Sequence, residues 1–189
     1  MPKQKITKEM ILDAAFTLLR TQGHESVNAR SIAGQAGCSV QPIYSYYTNM
    51  TELMQELFQY TKQFLAAYVE KNADKNCYFA SIGRCHITFA AEEKHLFCFL
   101  FLSKYVGINS LEDIYTQCAR ADVTEDIVKT RSLNEASAKR LYLHMMLYTH
   151  GIASMIATGA ADIPFEEIHV LVDSAYYAFL NQIRGEDSK

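Results

Sequence analysis

The sequence predicts an all-α protein of about nine helices, and three observations carry this prediction. The 189 residues include only three prolines and eight glycines, the residues that most often interrupt helices. No long segment alternates apolar and polar residues, as a half-buried strand would. Apolar residues instead recur three and four positions apart, as on one face of a helix. Because 49% of the residues are hydrophobic, the chain can bury a core.

The first fifty residues predict three helices. Thr7 is placed to cap the first helix, which Gly23 ends. Asn28 opens a short second helix that Gly37 breaks, because glycine accepts the left-handed conformation of a tight turn. Ser39 is placed to cap a third helix.

The rest of the chain predicts longer and more apolar helices. Asn49 and Glu52 have the spacing of a capping box and begin a long fourth helix. Further helical segments are expected over about 79–89, 96–102, 110–130 (one or two short helices), 134–158 and 164–184.

Residues 28–47 have the pattern of two short helices that cross at a steep angle. Ala33 is small where the third helix passes, and Pro42 falls in that helix's first turn, where its missing N–H costs little. A helix held in this way can enter the major groove of DNA with its N-terminus first. The alternative is an αα-hairpin that only packs.

The same stretch resembles the DNA-binding domain of the TetR family of transcriptional regulators. Within residues 6–58, the matching positions are Ile11 to Leu19, Gly23, Ile32, Ala33, Ala36 to Ser39, Ile43, Tyr44, Tyr47 and Leu53. The resemblance implies a DNA-binding domain at 1–50 and an effector-binding and dimerisation domain at 51–189. It also implies a repressor that binds a palindromic operator as a homodimer and is released by a small-molecule effector. The aromatic and methionine side chains of the C-terminal part, with few charges among them, indicate an apolar or aromatic effector. His150-Gly151, in the penultimate long helix, resembles one subgroup of the family.

Carried over to this chain, the resemblance predicts DNA contacts at eight positions: Asn28, Arg30, Ser39, Val40, Gln41, Tyr44, Tyr47 and Met50. The Gln41 amide suits N6 and N7 of adenine. Met50 stands where the family usually has a phosphate-contacting lysine, and Tyr47 where it usually has phenylalanine. We therefore expect contacts to rely on backbone amides at helix N-termini and tyrosine hydroxyls more than on lysine charge.

Two further sets of residues are predicted in the C-terminal part. An effector pocket could be lined by aromatic, histidine and methionine side chains that could equally be core: Phe64, Tyr68, His86, Phe89, Phe97, Phe101, Met145 and Tyr148. A two-fold dimer interface could use small and bulky residues of the last two long helices, which could instead pack within the chain: Gly151, Ser154, Ala157, Leu171, Ala175, Tyr176 and Phe179.

Charge and composition constrain the partners. The net charge is −3, but residues 1–50 carry about +2 and the remainder about −5, which suits a phosphate-facing end on an acidic body. No apolar run approaches the roughly 18 residues of a membrane span, and the polar N-terminus lacks a secretory signal, so we expect a cytoplasmic protein.

The sequence leaves three alternatives to DNA binding. A metal or thiol redox sensor could use Cys85, His86, His95 and Cys98, although no Cys-x-x-Cys pair is present. An enzyme is disfavoured because the motifs of hydrolases, metalloproteases and nucleotide-binding loops are missing, so no catalytic residue, cofactor or metal is predicted. An interaction module that has lost DNA binding is the third alternative, because the predicted DNA-binding domain, residues 1–50, carries little basic charge.

Overall fold

The computed structural model describes residues 6–107 and 109–187, apart from the side chains of Gln117 and Cys118. These residues form ten α-helices, two short 3-10 helices and no strand, which confirms the all-α prediction. The helices are α1 (Lys8–Gln22), α2 (Ala29–Gln35), α3 (Gln41–Tyr46), α4 (Met50–Asn72), α5 (Tyr78–Glu92), α6 (Lys94–Phe101), α7 (Leu111–Cys118), α8 (Ala121–Arg131), α9 (Glu135–Ala157) and α10 (Phe165–Asp187). The count is ten because the segment 110–130 forms two helices.

The chain divides into two compact units. The first contains the described residues through Tyr68 together with Glu93–Val106, and the second contains Val69–Glu92 and the described residues from Gly107 onward. Helix α4 contributes most of its length to the first unit and its last turn to the second. Within the described residues, no helix is long and apolar enough to cross a membrane.

In the first unit, α1 packs against α2, α3 and α6. Its buried residues Ile11, Ala15 and Leu19 are spaced four apart, so they form one stripe along the helix. Phe16 extends the contact to α4, with its ring centroid 5.1 Å from that of Tyr60. This packing holds α2 and α3 in place while their other faces remain in solvent.

In the second unit, α9 is the central helix and packs against α5, α8 and α10. Its buried positions include Leu141, Met145 and Ala153. The C-terminal end of α10 is tied to the start of α9 because the Ser137 hydroxyl donates to the Asp187 carboxylate at 2.7 Å. The second unit is therefore built from α5, α8 and α10 packed around α9.

Two apolar side chains of α9 and α10 face solvent. Met155 on α9 is 48% exposed and Leu171 on α10 is 47% exposed. Small residues take the buried positions near the end of α9 instead, at Ala153 and Ala157. Because α9 packs against α5, α8 and α10, a broad face of the helix is buried, and it includes these alanines.

Candidate nucleic-acid interface and ligand cavity

The turn between α2 and α3 is closed by two backbone hydrogen bonds. The N–H of Cys38 donates to the carbonyl of Ala33 at 2.9 Å, and the N–H of Gly37 donates to that of Gly34 at 3.3 Å. This is the Schellman pattern of a helix end, and it requires a left-handed residue after the helix. Gly37 supplies it with φ of +66°, as the sequence predicts.

Helix α3 begins one residue later than predicted. Its N-cap is Val40, which has right-handed helical dihedrals and makes no side-chain cap, so the prediction that Ser39 caps the helix was wrong. The backbone at Val40 is already helical, so α3 begins without a side-chain oxygen that accepts from its first N–H groups. Ser39 is instead an exposed side chain at the tip of the motif.

The outer face of α3 is polar and its inner face is a single apolar anchor. Ile43 is completely buried, whereas Gln41 and Ser45 are exposed and Tyr44 is 53% exposed. The Ser45 hydroxyl donates to the backbone carbonyl of Gln41 at 3.1 Å, and the Gln41 side chain is exposed. Hydrogen-bonding groups are therefore presented to solvent on a firmly held short helix.

Helix α2 presents one cation beside this face. The Asn28 side-chain oxygen accepts from the N–H groups of Arg30 and Ser31, both at 3.1 Å, and the Ser31 hydroxyl accepts from the N–H of Asn28 at 3.0 Å. Asn28 is thus occupied in a capping box, and its amide nitrogen donates to Ser26. Arg30 extends from the same turn into solvent.

Arg30 differs from the other cations of the motif in having no ion pair. Within residues 6–50, Lys8 pairs with Glu56 at 2.6 Å and Arg20 pairs with Glu93 through two guanidinium nitrogens. No ion pair involving Arg30 occurs among the described residues. Arg30 is therefore the cation best able to meet a phosphate.

Tyr47 is buried, which does not suit its predicted role as a DNA contact. It is 1% exposed, the Lys8 ammonium lies 5.0 Å from its ring centroid, and its hydroxyl is buried without a hydrogen-bond partner in the described structure. Burial, helped by the nearby Glu56 carboxylate, raises the pKa of the phenol, so it stays neutral. The side chain serves the core of the first unit, and a phosphate contact from it would require that unit to open.

The start of α4 carries an acidic cap. Asn49 accepts from the N–H of Glu52 at 3.0 Å, as the predicted capping box requires. The Glu52 carboxylate, however, accepts from the N–H of Thr48 at 2.7 Å and not from that of Asn49. Met50, the first residue of the helix, is half-buried. The charged side chain of this first turn is the Glu52 carboxylate.

The second unit contains a cavity of about 280 Å³ between α5, α9 and α10, with the end of α8 beside it. Its lining combines aromatic and methionine side chains with a few charged groups: Phe79, Ala80, Ile82, Gly83, Arg84, His86, Arg131, Tyr142, Met145, Met146, Thr149, Val172, Asp173, Tyr176 and Tyr177. Such a mostly apolar concavity with few polar groups is typical of small-molecule sites.

A row of polar side chains begins at this cavity. Nε2 of His86 lies 3.4 Å from Nδ1 of His150, and Nε2 of His150 lies 3.4 Å from the Ser154 hydroxyl. Burial, together with the neighbouring His150, lowers the pKa of His86 to about 3. His86 is therefore neutral at physiological pH and adds no charge to the cavity.

The predicted pocket residues fall into different places. His86 and Met145 line the cavity, and Phe89 and Tyr148 belong to the second unit without lining it. The others belong to the first unit: Phe64, Tyr68, Phe97 and Phe101. Sequence reasoning missed Arg84, Arg131 and Asp173, because nothing in their local pattern distinguishes them from charged surface residues.

The predicted dimer residues are also mixed in exposure. Gly151 and Leu171 are exposed, whereas Ala157 is buried within the protomer. The remaining members are partly buried: Ser154, Ala175, Tyr176 and Phe179. Tyr176 lines the cavity. Additional apolar side chains are exposed on the same helices, and they are Leu147, Met155, Val170 and Tyr177.

The side chains proposed for metal or redox sensing give little support to that alternative. In the part of the chain that the structure describes, no group of three or more His, Cys, Asp and Glu side chains could hold a metal ion. Burial raises the pKa of the Cys85 and Cys98 thiols, which disfavours the reactive thiolate.

Comparison with known proteins adds a family and a fold. Residues 11–57 match the family model described as "Bacterial regulatory proteins, tetR family". No curated protein matches the chain.

Solved structures extend the likeness to nearly the whole chain. A transcriptional regulator from Rhodococcus sp. Rha1 has a TM-score of 0.68 at 15% identity, covering 94% of this chain and 97% of that one. A TetR-family transcriptional regulator from Haemophilus influenzae RD has a TM-score of 0.60 at 18% identity, covering 90% and 94%. At identities this low, the likeness shows a shared fold.

Proposed function

We propose that this chain, whose residues 11–57 match the tetR family of bacterial regulatory proteins, is a repressor controlled by a small molecule. It would bind a palindromic operator in the cytoplasm as a homodimer. A small apolar or aromatic effector in the cavity of the second unit would release it. Regulators that bind DNA through a helix-turn-helix do so as dimers, with one recognition helix in the major groove of each half-site.

The exposed face of α3 carries the proposal for DNA recognition. Gln41 and Tyr44 project from a helix that is anchored by the fully buried Ile43, and Ser39 is exposed just before that helix begins. Gln41 would contact adenine through its amide, and Arg30 would contact a phosphate from the neighbouring turn of α2. A rigid anchor beneath an exposed polar face suits base recognition, because the backbone that carries these side chains loses little freedom on binding.

The homodimer is proposed to form through the exposed faces of α9 and α10. On α9, Leu147, Gly151 and Met155 lie one turn apart and are all exposed. On α10, Val170 is 70% exposed and Tyr177 is also exposed. Apolar side chains clustered in this way on two long helices are typical of a surface that a partner covers. Two heads joined across it would meet half-sites separated by about 34–36 Å or a multiple of it.

The effector would act by stabilising a form of the protein that cannot hold both heads on the operator. Helix α4 belongs to both units, so a change in the second unit can displace the first. A ligand shifts the equilibrium only by the difference between its affinities for the two forms. Effector binding must therefore weaken DNA binding by the same factor by which DNA weakens effector binding.

DNA recognition is tested by mobility-shift titration on the duplex immediately upstream of the protein's own gene. We expect wild-type protein to bind this duplex with two protomers per site, and Gln41→Ala to lose most of its preference over random duplex. Ser26→Ala, changed at a side chain whose hydroxyl donates to Gly23, provides a helix-turn-helix control away from α3. Equal affinity of the wild type for both duplexes would refute the proposal.

The dimer is tested with two helical glycines. Gly151 and Gly185 are both exposed, and a Cβ at either would meet nothing within 4 Å. Gly151→Arg should give a monomer by light scattering, because a long charged side chain would separate the α9 faces, whereas Gly185→Arg should remain a dimer. A wild-type monomer at micromolar concentration, or two variants that are both dimeric, would contradict this interface.

A further inference from the structure

We propose that the cavity of the second unit binds a small monoanion, a carboxylate carried on an apolar, flat body, and that Arg131 and the Tyr176 hydroxyl hold the carboxylate. This inference rests on the proposed function in taking the cavity as the effector site. It adds the charge of the ligand and the residues that select it.

The charges of the lining leave one cation in excess. Arg84 and Arg131 line the cavity together with a single carboxylate, that of Asp173. Arg84 and Asp173 form a long ion pair of 3.8 Å across the cavity wall, from α5 to α10. Because His86 is neutral, the lining has a net charge of about +1, and a monoanion is the ligand that balances it.

Arg131, which has no ion pair among the described residues, lies over the ring of Tyr176. The guanidinium carbon of Arg131 is 5.4 Å from the centroid of the Tyr176 ring. The Tyr176 hydroxyl is buried and makes no hydrogen bond of normal geometry in the described structure, and the neighbouring Arg131 is the side chain placed to donate to it, which leaves the phenol proton free. Burial raises the pKa of this phenol, so it remains a donor. A buried donor next to an unpaired guanidinium is the arrangement that a carboxylate oxygen satisfies.

One turn of α10 brings these groups together. Tyr176 and Tyr177 follow Asp173 by three and four residues, so the three side chains are neighbours on one face of α10. Arg84 meets this turn at Asp173 and Arg131 meets it at Tyr176. The polar end of the ligand is therefore assigned to this turn.

The apolar part of the lining selects the body of the ligand. Phe79, Ile82, Met145 and Met146 are apolar, and the ring of Phe79 makes edge contacts with those of Tyr142 and Tyr176. The cavity of about 280 Å³ is at the small end of the usual range for ligand sites, which is about 300–1,000 Å³. One ring with a short chain fits these dimensions better than a polycyclic compound.

Isothermal titration with three matched probes tests the charge of the ligand. The probes are 4-phenylbutyrate, its neutral amide 4-phenylbutyramide, and the cation 4-phenylbutylamine. We expect the carboxylate to bind at least about tenfold more tightly than the amide, as a charge-assisted hydrogen bond implies, and the amine to bind most weakly. Equal binding of the amide or the amine, or no binding of the carboxylate, would overturn the proposal.

Substitutions test the residues. Arg131→Gln and Tyr176→Phe should weaken carboxylate binding and leave amide binding within about twofold, whereas Asp173→Asn should strengthen carboxylate binding because it removes the competing anion. The gain expected for Asp173→Asn cannot arise from misfolding. Arg140→Gln, at an arginine paired with Glu186 and absent from the lining, is the control. If Arg131→Gln behaves as Arg140→Gln does, or if Asp173→Asn weakens carboxylate binding, the assignment is wrong.

A mobility shift with 4-phenylbutyrate separates this inference from the proposed function. Carboxylate binding that releases DNA supports both. Carboxylate binding that leaves DNA affinity unchanged supports the anion site and refutes control of DNA binding by this cavity.

Discussion

Arg30 should carry a measurable share of the electrostatic affinity for DNA. It is the cation of residues 6–50 that has no ion pair in the described structure, since Lys8 and Arg20 are engaged by Glu56 and Glu93. Arg30→Gln should remove one phosphate contact from each head. Each contact contributes about 0.9 to the slope of log affinity against log salt, so the slope of the dimer should decrease by about 1.8.

The same contact sets the loss of affinity. At 0.15 M salt, a slope of 0.9 corresponds to about a fivefold change per head, or about 30-fold and about 2 kcal/mol for the dimer. Fluorescence-anisotropy titrations of a labelled duplex from 50 to 300 mM salt measure both quantities. Arg20→Gln is the matched control, because Arg20 is paired away from α2 and α3, and it should retain the wild-type slope. An unchanged slope in folded Arg30→Gln would refute this placement of the phosphate contact.

The remaining predictions concern charge, backbone strain and pH. Met50→Lys should tighten binding to specific and random duplex alike and steepen the salt slope by about one unit per head; an unchanged slope in anisotropy titrations would count against a phosphate near Met50. Gly37→Ala should lower the free energy of unfolding by about 1–2 kcal/mol, because φ is +66° with nothing within 4 Å of the new Cβ. Gly23→Ala should cost about 2–3 kcal/mol, because its Cβ would also lie 3.2 Å from Nδ1 of His95; urea denaturation that ranks the two variants in reverse would contradict the packing. The pKa of His86 is lowered to about 3 in the folded protein. As the pH falls below about 6.5, the unfolded chain therefore binds a proton at His86 that the folded protein does not bind. The free energy of unfolding should consequently fall by about 2 kcal/mol between pH 7 and pH 5. His86→Gln should remove most of that loss in urea titrations at the two pH values, and an equal loss in the variant would assign it to other groups.

Local chemistry made the N-terminal helices predictable. Thr7 and Asn28 accept hydrogen bonds from the first free N–H groups of α1 and α2, as their side chains suggest. Gly37 has the positive φ that the turn needs. Ser39 does not cap α3 because the backbone at Val40 is already helical. The start of α3 is set by the packing of the helix through Ile43, which the serine does not reveal.

The cavity could not be predicted from the sequence because its polar groups are distant along the chain. Arg84 and Asp173 are 89 positions apart, and each occupies an ordinary polar position of an amphipathic helix. Tyr47 shows the same limit in the first unit. Its family position suggests a DNA contact, whereas its burial depends on α1 and α4 packing around it.

Selection of bound duplexes from a random-sequence library, followed by sequencing, tests most directly whether the outer face of α3 recognises base pairs from a symmetric dimer. We expect an inverted repeat whose half-sites are separated by one helical turn or a multiple of it, with the Gln41→Ala variant losing the preference at one position in each half-site. Enrichment of no sequence, or of the same repeat at full strength by the Gln41→Ala variant, would contradict that recognition.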